Sequence, residues 1–107
     1  MQFFKGLIER IAISVVTVME LYYGALNKTE LKNIKRHLSS IRIFQIKEEI
    51  SIMALDLIER YAKSHRLQIP DALIAATSIN HDLQLYTCNV KDFIFIEKMR
   101  LWSVKEK

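Results

Sequence analysis

The sequence predicts an α/β fold, with a mostly parallel sheet flanked by helices in a single domain that spans residues 1–107. Short apolar segments alternate along the chain with longer segments of helical periodicity, an order typical of parallel strands joined by right-handed helical crossovers. The chain has only two glycines and one proline, which disfavours a turn-rich all-β fold. Half of the residues are hydrophobic, so the chain can bury a core.

Each predicted element rests on a local pattern. Short β-branched or alternating segments predict strands at residues 11–14, 41–46, 83–87 and 99–104. Apolar residues that recur every three or four positions predict helices at about residues 16–27, 29–38, 47–64 and 70–79.

The helix ends carry their own signals. Thr17 is the expected N-cap of the first helix, and Glu20 three residues later completes a capping-box pattern. Thr29 is the expected N-cap of the second helix, and Pro70 opens the last one, since proline is favoured in a first helical turn. Gly24 falls within the first helix on the face of Glu20, where glycine costs about 1 kcal/mol relative to alanine. We expect this glycine to leave room beside the carboxylate.

The chain is modestly basic. Sixteen Lys and Arg stand against twelve Asp and Glu, a formal charge of +4. The densest group of basic residues comprises Lys28, Lys32, Lys35, Arg36 and Arg42. This excess is compatible with a nucleic-acid partner bound through its phosphates, and equally with an ordinary solvated surface.

Cysteine use and hydropathy exclude several classes of protein. Cys88 is the only cysteine, so neither an internal disulfide nor a thiolate metal site is expected, and we expect a cytoplasmic protein. No apolar run approaches the roughly 18 residues needed to cross a bilayer, and the first ten residues lack the layout of a secretory signal.

Three carboxylates lie at or near the starts of elements, and each has an ordinary interpretation. Glu20 fits the capping box, and Asp71 lies in a first helical turn, where the helix dipole favours an acid. Asp92 fits the N-cap of a turn that starts at Phe93. Asn89 could orient a ligand or a water molecule, but asparagine is common in turns for reasons of backbone geometry.

The joint placement of these acids favours a second interpretation. The starts of elements that follow parallel strands converge at one end of a sheet, so we expect Glu20, Asp71 and Asp92 to approach one another. Three neighbouring carboxylates repel each other unless a cation lies between them. Oxygen ligands suit Mg²⁺ or Mn²⁺, and such ions commonly act on phosphate esters. The sequence therefore predicts a metal site suited to phosphate ester chemistry.

The remaining reactive and aromatic side chains predict less. His37, His65 and His81 are not at metal-ligand spacing from one another, and we expect them to have surface roles. No histidine is placed beside Cys88 by sequence to make it a nucleophile. Four aromatic residues are expected to be core or dimer contacts rather than base-stacking platforms: Tyr22, Tyr23, Phe44 and Trp102.

Three sequence blocks resemble those of PIN-domain ribonucleases, and in particular the VapC-type toxins of toxin–antitoxin pairs. The blocks are ISVVTVMELYYGA (residues 13–25), PDALIAAT (70–77) and LYTCNVKDF (85–93). The resemblance implies a three-layer α/β/α fold and metal-dependent hydrolysis of RNA. It also implies Mg²⁺ or Mn²⁺ on Glu20, Asp71 and Asp92, with Asn89 holding a ligand or water. The implied partners are RNA, a small antitoxin and a second copy of the chain in a homodimer.

The chain departs from the family pattern at its start. PIN domains open with a strand that ends in an acid, often within L-D-T-N, whereas no aspartate precedes Asp56 here. Residues 1–10 resemble the region just before the family's second strand, so we expect an N-terminally truncated domain that lacks the first strand and its acid. Three functions stay open: a ribonuclease impaired by this loss, a non-catalytic PIN remnant that binds an antitoxin or partner, and a basic α/β domain whose acids are only helix caps.

Overall fold

The computed structural model describes residues 12–87 and 89–102, and it confirms the predicted α/β class. Its helices are α1 (Val15–Tyr23), α2 (Lys28–Leu38), α3 (Glu48–His65) and α4 (Ile69–Asn80). Its strands are β1 (Ala12–Ser14), β2 (Arg42–Phe44), β3 (Leu85–Tyr86) and β4 (Leu101–Trp102), and a 3₁₀ turn covers Val90–Asp92. The expectations for residues 1–10, Cys88 and residues 103–104 lie outside the described residues.

The chain divides into two compact units, Met1–Gln45 and Ile46–Lys107, and each contains one parallel strand pair. In the first unit β1 pairs with β2, with Ala12 opposite Arg42 and Ser14 opposite Phe44. In the second unit β3 pairs with β4, with Leu85 opposite Leu101. The predicted parallel pairing is therefore confirmed in both units.

The first unit is organised by the passage from β1 directly into α1. The hydroxyl of the buried Ser14 accepts a hydrogen bond from the Val16 backbone N–H at 3.0 Å, which makes Ser14 the N-cap. The prediction that Thr17 caps this helix is wrong, because the strand ends at a residue that can itself cap, three positions earlier. Val16 and Val18 are the buried residues of α1.

The N-cap of the second helix also lies earlier than predicted, by two residues. Asn27, not Thr29, is its N-cap, and the Asn27 side-chain oxygen accepts from the Glu30 N–H at 2.8 Å. The Glu30 carboxylate accepts from the Leu26 N–H at 2.6 Å. This reciprocal arrangement is close to a capping box, and it fixes the start of α2 at Lys28.

The second unit has its core where α3 packs against α4. The buried residues of α3 are Ile50, Ala54 and Leu57, and Ala72, Ala75 and Ala76 on α4 are completely buried. Alanines at these positions allow close approach of the two helices, and their burial removes apolar surface from water. Phe93 and Ile96, which follow the 3₁₀ turn, complete the same cluster.

The strand after α4 is shorter than the predicted segment 83–87. Leu83 donates its N–H to the Ser78 carbonyl at 2.8 Å, and its own carbonyl accepts from the Ser78 hydroxyl at 2.7 Å. Both backbone groups of Leu83 are thus used in closing the end of α4, so β3 begins only at Leu85. Arg100 supports this corner by bonding the Asp82 carbonyl at 2.6 Å and its carboxylate at 3.2 Å.

Among the described residues, every helix is too short or too polar to cross a membrane.

The observed cap of α1 predicts which hydroxyl matters for stability. Ser14→Ala should lower the free energy of unfolding by about 1 kcal/mol, because the Val16 N–H loses its partner in a buried place. Thr17→Ala, the matched hydroxyl deletion inside the helix, should change it by less than about 0.5 kcal/mol. Urea unfolding followed by circular dichroism compares the two variants. An equal loss for both, or a larger loss for Thr17→Ala, would contradict the assignment of the cap.

Candidate active site

Asp71 is placed by the start of α4. It is the third residue of that helix, directly after Pro70, and it is half-buried. Gln68 is the N-cap residue of α4 and makes no side-chain cap bond. Asp71 is the acidic residue of the first turn. A carboxylate at this position is stabilised by the positive end of the helix dipole, by about 0.3–1 kcal/mol. The side chain directly after it, Ala72, is fully buried, which fixes the position of the acid on the helix.

Asp92 and Asn89 lie in the turn that follows β3. The Asp92 N–H donates to the Asn89 carbonyl at 3.0 Å, and the Asn89 N–H donates to the Thr87 hydroxyl at 3.0 Å. Phe93, the next residue, is buried and holds the turn against the core. The backbone of the turn is thus fixed, while the side chains of Asn89 and Asp92 are exposed.

The ordinary interpretations of these two turn residues are not supported. Asp92 is the last residue of the 3₁₀ turn, and residues 93–95 form a further turn directly after it. Among the described residues the Asp92 carboxylate makes no hydrogen bond with that turn, so its N-cap interpretation gains no support. Asn89 stands at the N-cap of the turn but makes no side-chain cap bond. Neither polar side chain is explained by capping the turn in which it lies.

Glu20 lies in the other unit, as the sixth residue of α1, and its side chain is exposed. Because the helix begins at Val15 and is capped by Ser14, Glu20 is not at the capping-box position, and that interpretation is wrong. Its role in the backbone is ordinary: its carbonyl accepts from the Gly24 N–H at 3.0 Å.

Gly24 ends α1 instead of lying within it, which corrects the prediction. Its φ of −83° and ψ of −4° are open to any residue, so the backbone does not require glycine here. A Cβ at this position would meet the Glu20 carbonyl oxygen at 3.4 Å and the Leu21 carbonyl oxygen at 3.9 Å, ordinary contact distances. The helix therefore tolerates alanine, and packing within the described chain gives no reason for glycine.

The predicted site residues are divided between the two units. Asp71, Asn89 and Asp92 belong to the second unit and Glu20 to the first. Among the described residues of either unit, no group of three His, Cys, Asp or Glu side chains forms a cluster that could hold a metal ion. The assignment of Glu20, Asp71 and Asp92 as a shared ligand set thus stays a prediction.

Sequence reasoning missed one aromatic cluster in the second unit. The His65 ring stacks on Phe95 with centroids 4.2 Å apart, and Tyr61 meets Phe95 edge-on at 5.1 Å. The Tyr61 hydroxyl accepts from the Glu97 N–H at 3.4 Å. The spacing of Tyr61 and His65 on one face of α3 is visible in the sequence, but their partner lies 30 residues after His65.

Two expectations for aromatic residues of the first unit have different outcomes. Tyr23 is 94% exposed, so it is not a core residue of the described chain. Phe44 is half-buried, with the Arg42 guanidinium 4.6 Å from its ring centre. The expected surface role of His37 fits its exposed position, where its Nδ1 lies 2.7 Å from the Asn33 carbonyl.

Comparison with known proteins gives the family. Residues 2–96 match the PIN domain. Ribonuclease VapC10 of Mycobacterium tuberculosis is 41% identical over 91 residues, which cover 84% of this chain and 68% of that protein. Ribonuclease VapC19 of the same organism is 36% identical over 86 residues, 79% of this chain and 68% of the relative.

Solved structures agree with the sequence comparisons. A toxin–antitoxin complex from Klebsiella pneumoniae matches with a TM-score of 0.70 and 34% identity, over 88% of this chain and 72% of the other. VapBC2 from Rickettsia felis, bound to a DNA fragment from its promoter, matches the fold with a TM-score of 0.81, over 97% of this chain and 84% of the other, at 24% identity. The chain belongs to the PIN domain family.

Proposed function

We propose that this protein is an endoribonuclease of the VapC type, the toxin of a toxin–antitoxin pair. The observation that carries the proposal is the 41% identity to ribonuclease VapC10 across 84% of the chain. The PIN match over residues 2–96 also includes Glu20, Asp71, Asn89 and Asp92. The reaction is hydrolysis of an RNA phosphodiester bond.

The proposed catalytic group is the set of three carboxylates, Glu20, Asp71 and Asp92, with Asn89 beside Asp92 in the turn. Two observations support it: Glu20 and Asp92 are exposed acids without the capping roles that would explain them, and Asn89 is an exposed amide that does not cap its turn. Asp71 is the half-buried member, and burial beside the core gives it a fixed position.

The donor set fits a divalent cation, because it consists of hard carboxylate oxygens without a thiolate or an imidazole. We propose that Glu20, Asp71 and Asp92 hold Mg²⁺ or Mn²⁺. When bound, such an ion activates a water for attack on the phosphorus and stabilises charge on the leaving oxygen. In this proposal Asn89 orients a ligand or a water molecule through its side-chain amide. Asp71 contributes a carboxylate whose position is fixed at the start of α4.

The proposed partner besides RNA is a small antitoxin, as in the toxin–antitoxin complex from Klebsiella pneumoniae. Exposed apolar side chains support a protein partner in the first unit, since Met19, Tyr23 and Leu26 are each more than half exposed. Met19 and Tyr23 lie one turn apart on the same face of α1, and Leu26 follows shortly after the end of the helix. A second candidate function, a PIN protein that binds its antitoxin without cleaving RNA, would use the same exposed residues.

Removing the half-buried acid tests the enzymatic proposal. The wild-type chain should cleave RNA in the presence of Mn²⁺, and Asp71→Asn should lower the rate by more than the roughly 10–100-fold typical of losing a residue that only supports a metal ligand. Glu59→Gln, an exposed acid on α3, is the matched control and should cleave at the wild-type rate. Equal cleavage by wild type and Asp71→Asn would remove Asp71 from the proposed catalytic group, and cleavage by neither would favour the non-catalytic binding protein.

The same variants give a readout that does not depend on cleavage. Mn²⁺ at about a hundred times its Kd should raise the free energy of unfolding of the wild type by roughly 2.7 kcal/mol, because it binds only the folded state. Asp71→Asn and Asp92→Asn should lose most of this rise, and Glu59→Gln should keep it. A rise of equal size in the wild type and the three variants would mean that Mn²⁺ binds at a site that uses neither Asp71 nor Asp92.

The side-chain amide of Asn89 provides a second test of the proposed site. Asn89→Ala should change the free energy of unfolding by less than about 0.5 kcal/mol, because the side chain is exposed and caps nothing. Its RNA cleavage rate should nevertheless fall, whereas Gln84→Ala, an exposed amide before β3, should cleave normally. A stability loss that matches the loss of cleavage would mean that Asn89 serves only the turn.

Gly24 can be tested in the same way. Gly24→Ala should leave the free energy of unfolding unchanged or raise it by about 0.4–1 kcal/mol, since its backbone angles suit alanine and the new Cβ meets no short contact. If the missing side chain leaves room beside Glu20 for a ligand, the variant should lose cleavage while it gains stability. Unchanged cleavage would show that the glycine only ends α1.

A further inference from the structure

The α2 helix has a continuous basic face. Lys28, Lys32, Lys35 and Arg36 lie within an arc of about 100° and along about 12 Å of the helix, and all four are exposed. An adjacent side of the helix carries Leu31, Ile34 and Leu38, which are half-buried, whereas the four basic residues are exposed, so the basic side faces outward. We call these four residues the basic face of α2.

Acids of the described chain do not neutralise this face. The ion pairs found among the described residues are Asp56 with Arg60, Arg60 with Glu97, and Asp82 with Arg100, all within the second unit. The acid of α2, Glu30, directs its carboxylate to the Leu26 N–H at 2.6 Å. The positive charge of the basic face is therefore available to a partner.

Helix stability explains only half of these positions. Lys35 and Arg36 lie in the last turn of α2, where the helix dipole favours cations. Lys28 is the first residue of the helix and Lys32 lies one turn later, so neither gains from the dipole, and Lys28 faces its unfavourable end. In contrast, α3 follows the dipole rule at both ends, with Glu48 and Glu49 in its first turn and Lys63 in its last.

We propose that the basic face of α2 binds the phosphate backbone of the RNA substrate, an inference that rests on the proposed ribonuclease function for the identity of the polyanion. A row of four cations about 12 Å long complements a chain of phosphates, each of which carries one negative charge. The lysines act as mobile point charges. Arg36 is oriented by its hydrogen bond to the Asn33 side-chain oxygen and retains further N–H groups for a phosphate.

This mode of binding has a characteristic signature. Contacts to phosphates carry no base information, so they strengthen binding equally for different RNA sequences. They also release counterions, and each phosphate that is neutralised on a single strand makes the logarithm of the binding constant fall more steeply with the logarithm of salt, by about 0.7. The basic face thus supplies general affinity and leaves the choice of cleavage site to other residues.

The experiment compares Lys28→Gln/Lys32→Gln with Lys47→Gln/Lys63→Gln, which removes two exposed lysines from the second unit. Binding of a fluorescent single-stranded RNA to the full chain is measured in EDTA between about 50 and 200 mM salt, so that cleavage does not enter the result. The first variant should have a salt slope shallower by about 1.4 and a Kd about tenfold weaker at the upper salt concentration, while the second should match the wild type. The Tm of the first variant should equal or exceed that of the wild type.

Three results would overturn the proposal: equal salt slopes in the two double variants, a loss of binding only for some RNA sequences, or a lower Tm that accounts for the weaker binding. A labelled poly-glutamate peptide separates RNA from an acidic protein segment. If the first variant weakens peptide binding and leaves RNA binding unchanged, the face serves a protein and the proposal fails. Failure of the ribonuclease proposal is seen separately, as absent Mn²⁺-dependent cleavage by a chain that still binds RNA.

Discussion

The close packing of α3 against α4 is the constraint on which the second unit depends. It is built from small residues, since Ala72, Ala75 and Ala76 are completely buried and Ala54 faces them from the same cluster. A larger side chain at any of these positions would separate the helices or force strained rotamers, at a cost of about 1–3 kcal/mol. Because Asp71 precedes Ala72 directly, the packing that holds the core also fixes the acid at the core's edge.

The same hydrophobic cluster also fixes the position of Asp92, the second acid that this unit contributes to the proposed ligand set. Phe93 is buried in it, and the 3₁₀ turn before Phe93 carries Asp92. Hydrogen bonds from the backbone of Asn89 and Asp92 leave the turn with little freedom, although its polar side chains face solvent. A protein that binds a cation through acids from separate elements needs such support, because mutual repulsion would otherwise drive the carboxylates apart.

The sequence predicts the helices and the parallel pairing well, because these follow from periodicity over many residues. It predicts the caps poorly: Thr17 and Thr29 are good capping residues, yet Ser14 and Asn27 cap the helices. The choice is made by tertiary structure, since Ser14 is the last residue paired with β2 and so stands where the chain must turn. Likewise, the apolar Leu83 is removed from its expected strand by two bonds to Ser78, which no local pattern reveals.

For the site, the family resemblance identifies residues whose individual patterns are ordinary, and the observed hydrogen bonds leave two of the ordinary explanations without support. Glu20 loses its capping-box role because α1 begins earlier, and the Asp92 carboxylate makes no cap bond with the turn that follows it among the described residues. Asp71 keeps both interpretations, since an acid in a first turn is favoured whether or not it binds a metal. The sequence alone does not distinguish a helix-dipole role of Asp71 from a metal-binding role, because the same position suits both.

A nuclease that works through carboxylates faces an electrostatic conflict, because its ligand set repels the polyanion that it must bind. The cation offsets the repulsion only at the site itself, and at physiological salt its influence falls off over about 8 Å. The rest of the RNA must then be attracted by positive charge elsewhere on the protein. Cation binding and attraction of the RNA must therefore be done by different residues. This chain has a net charge of +4 and a basic face on α2 that lacks acidic partners among the described residues, so it can supply the attraction away from the metal site. A cation held in ion pairs, as Arg60 of α3 is by Asp56 and Glu97, would leave no such attraction.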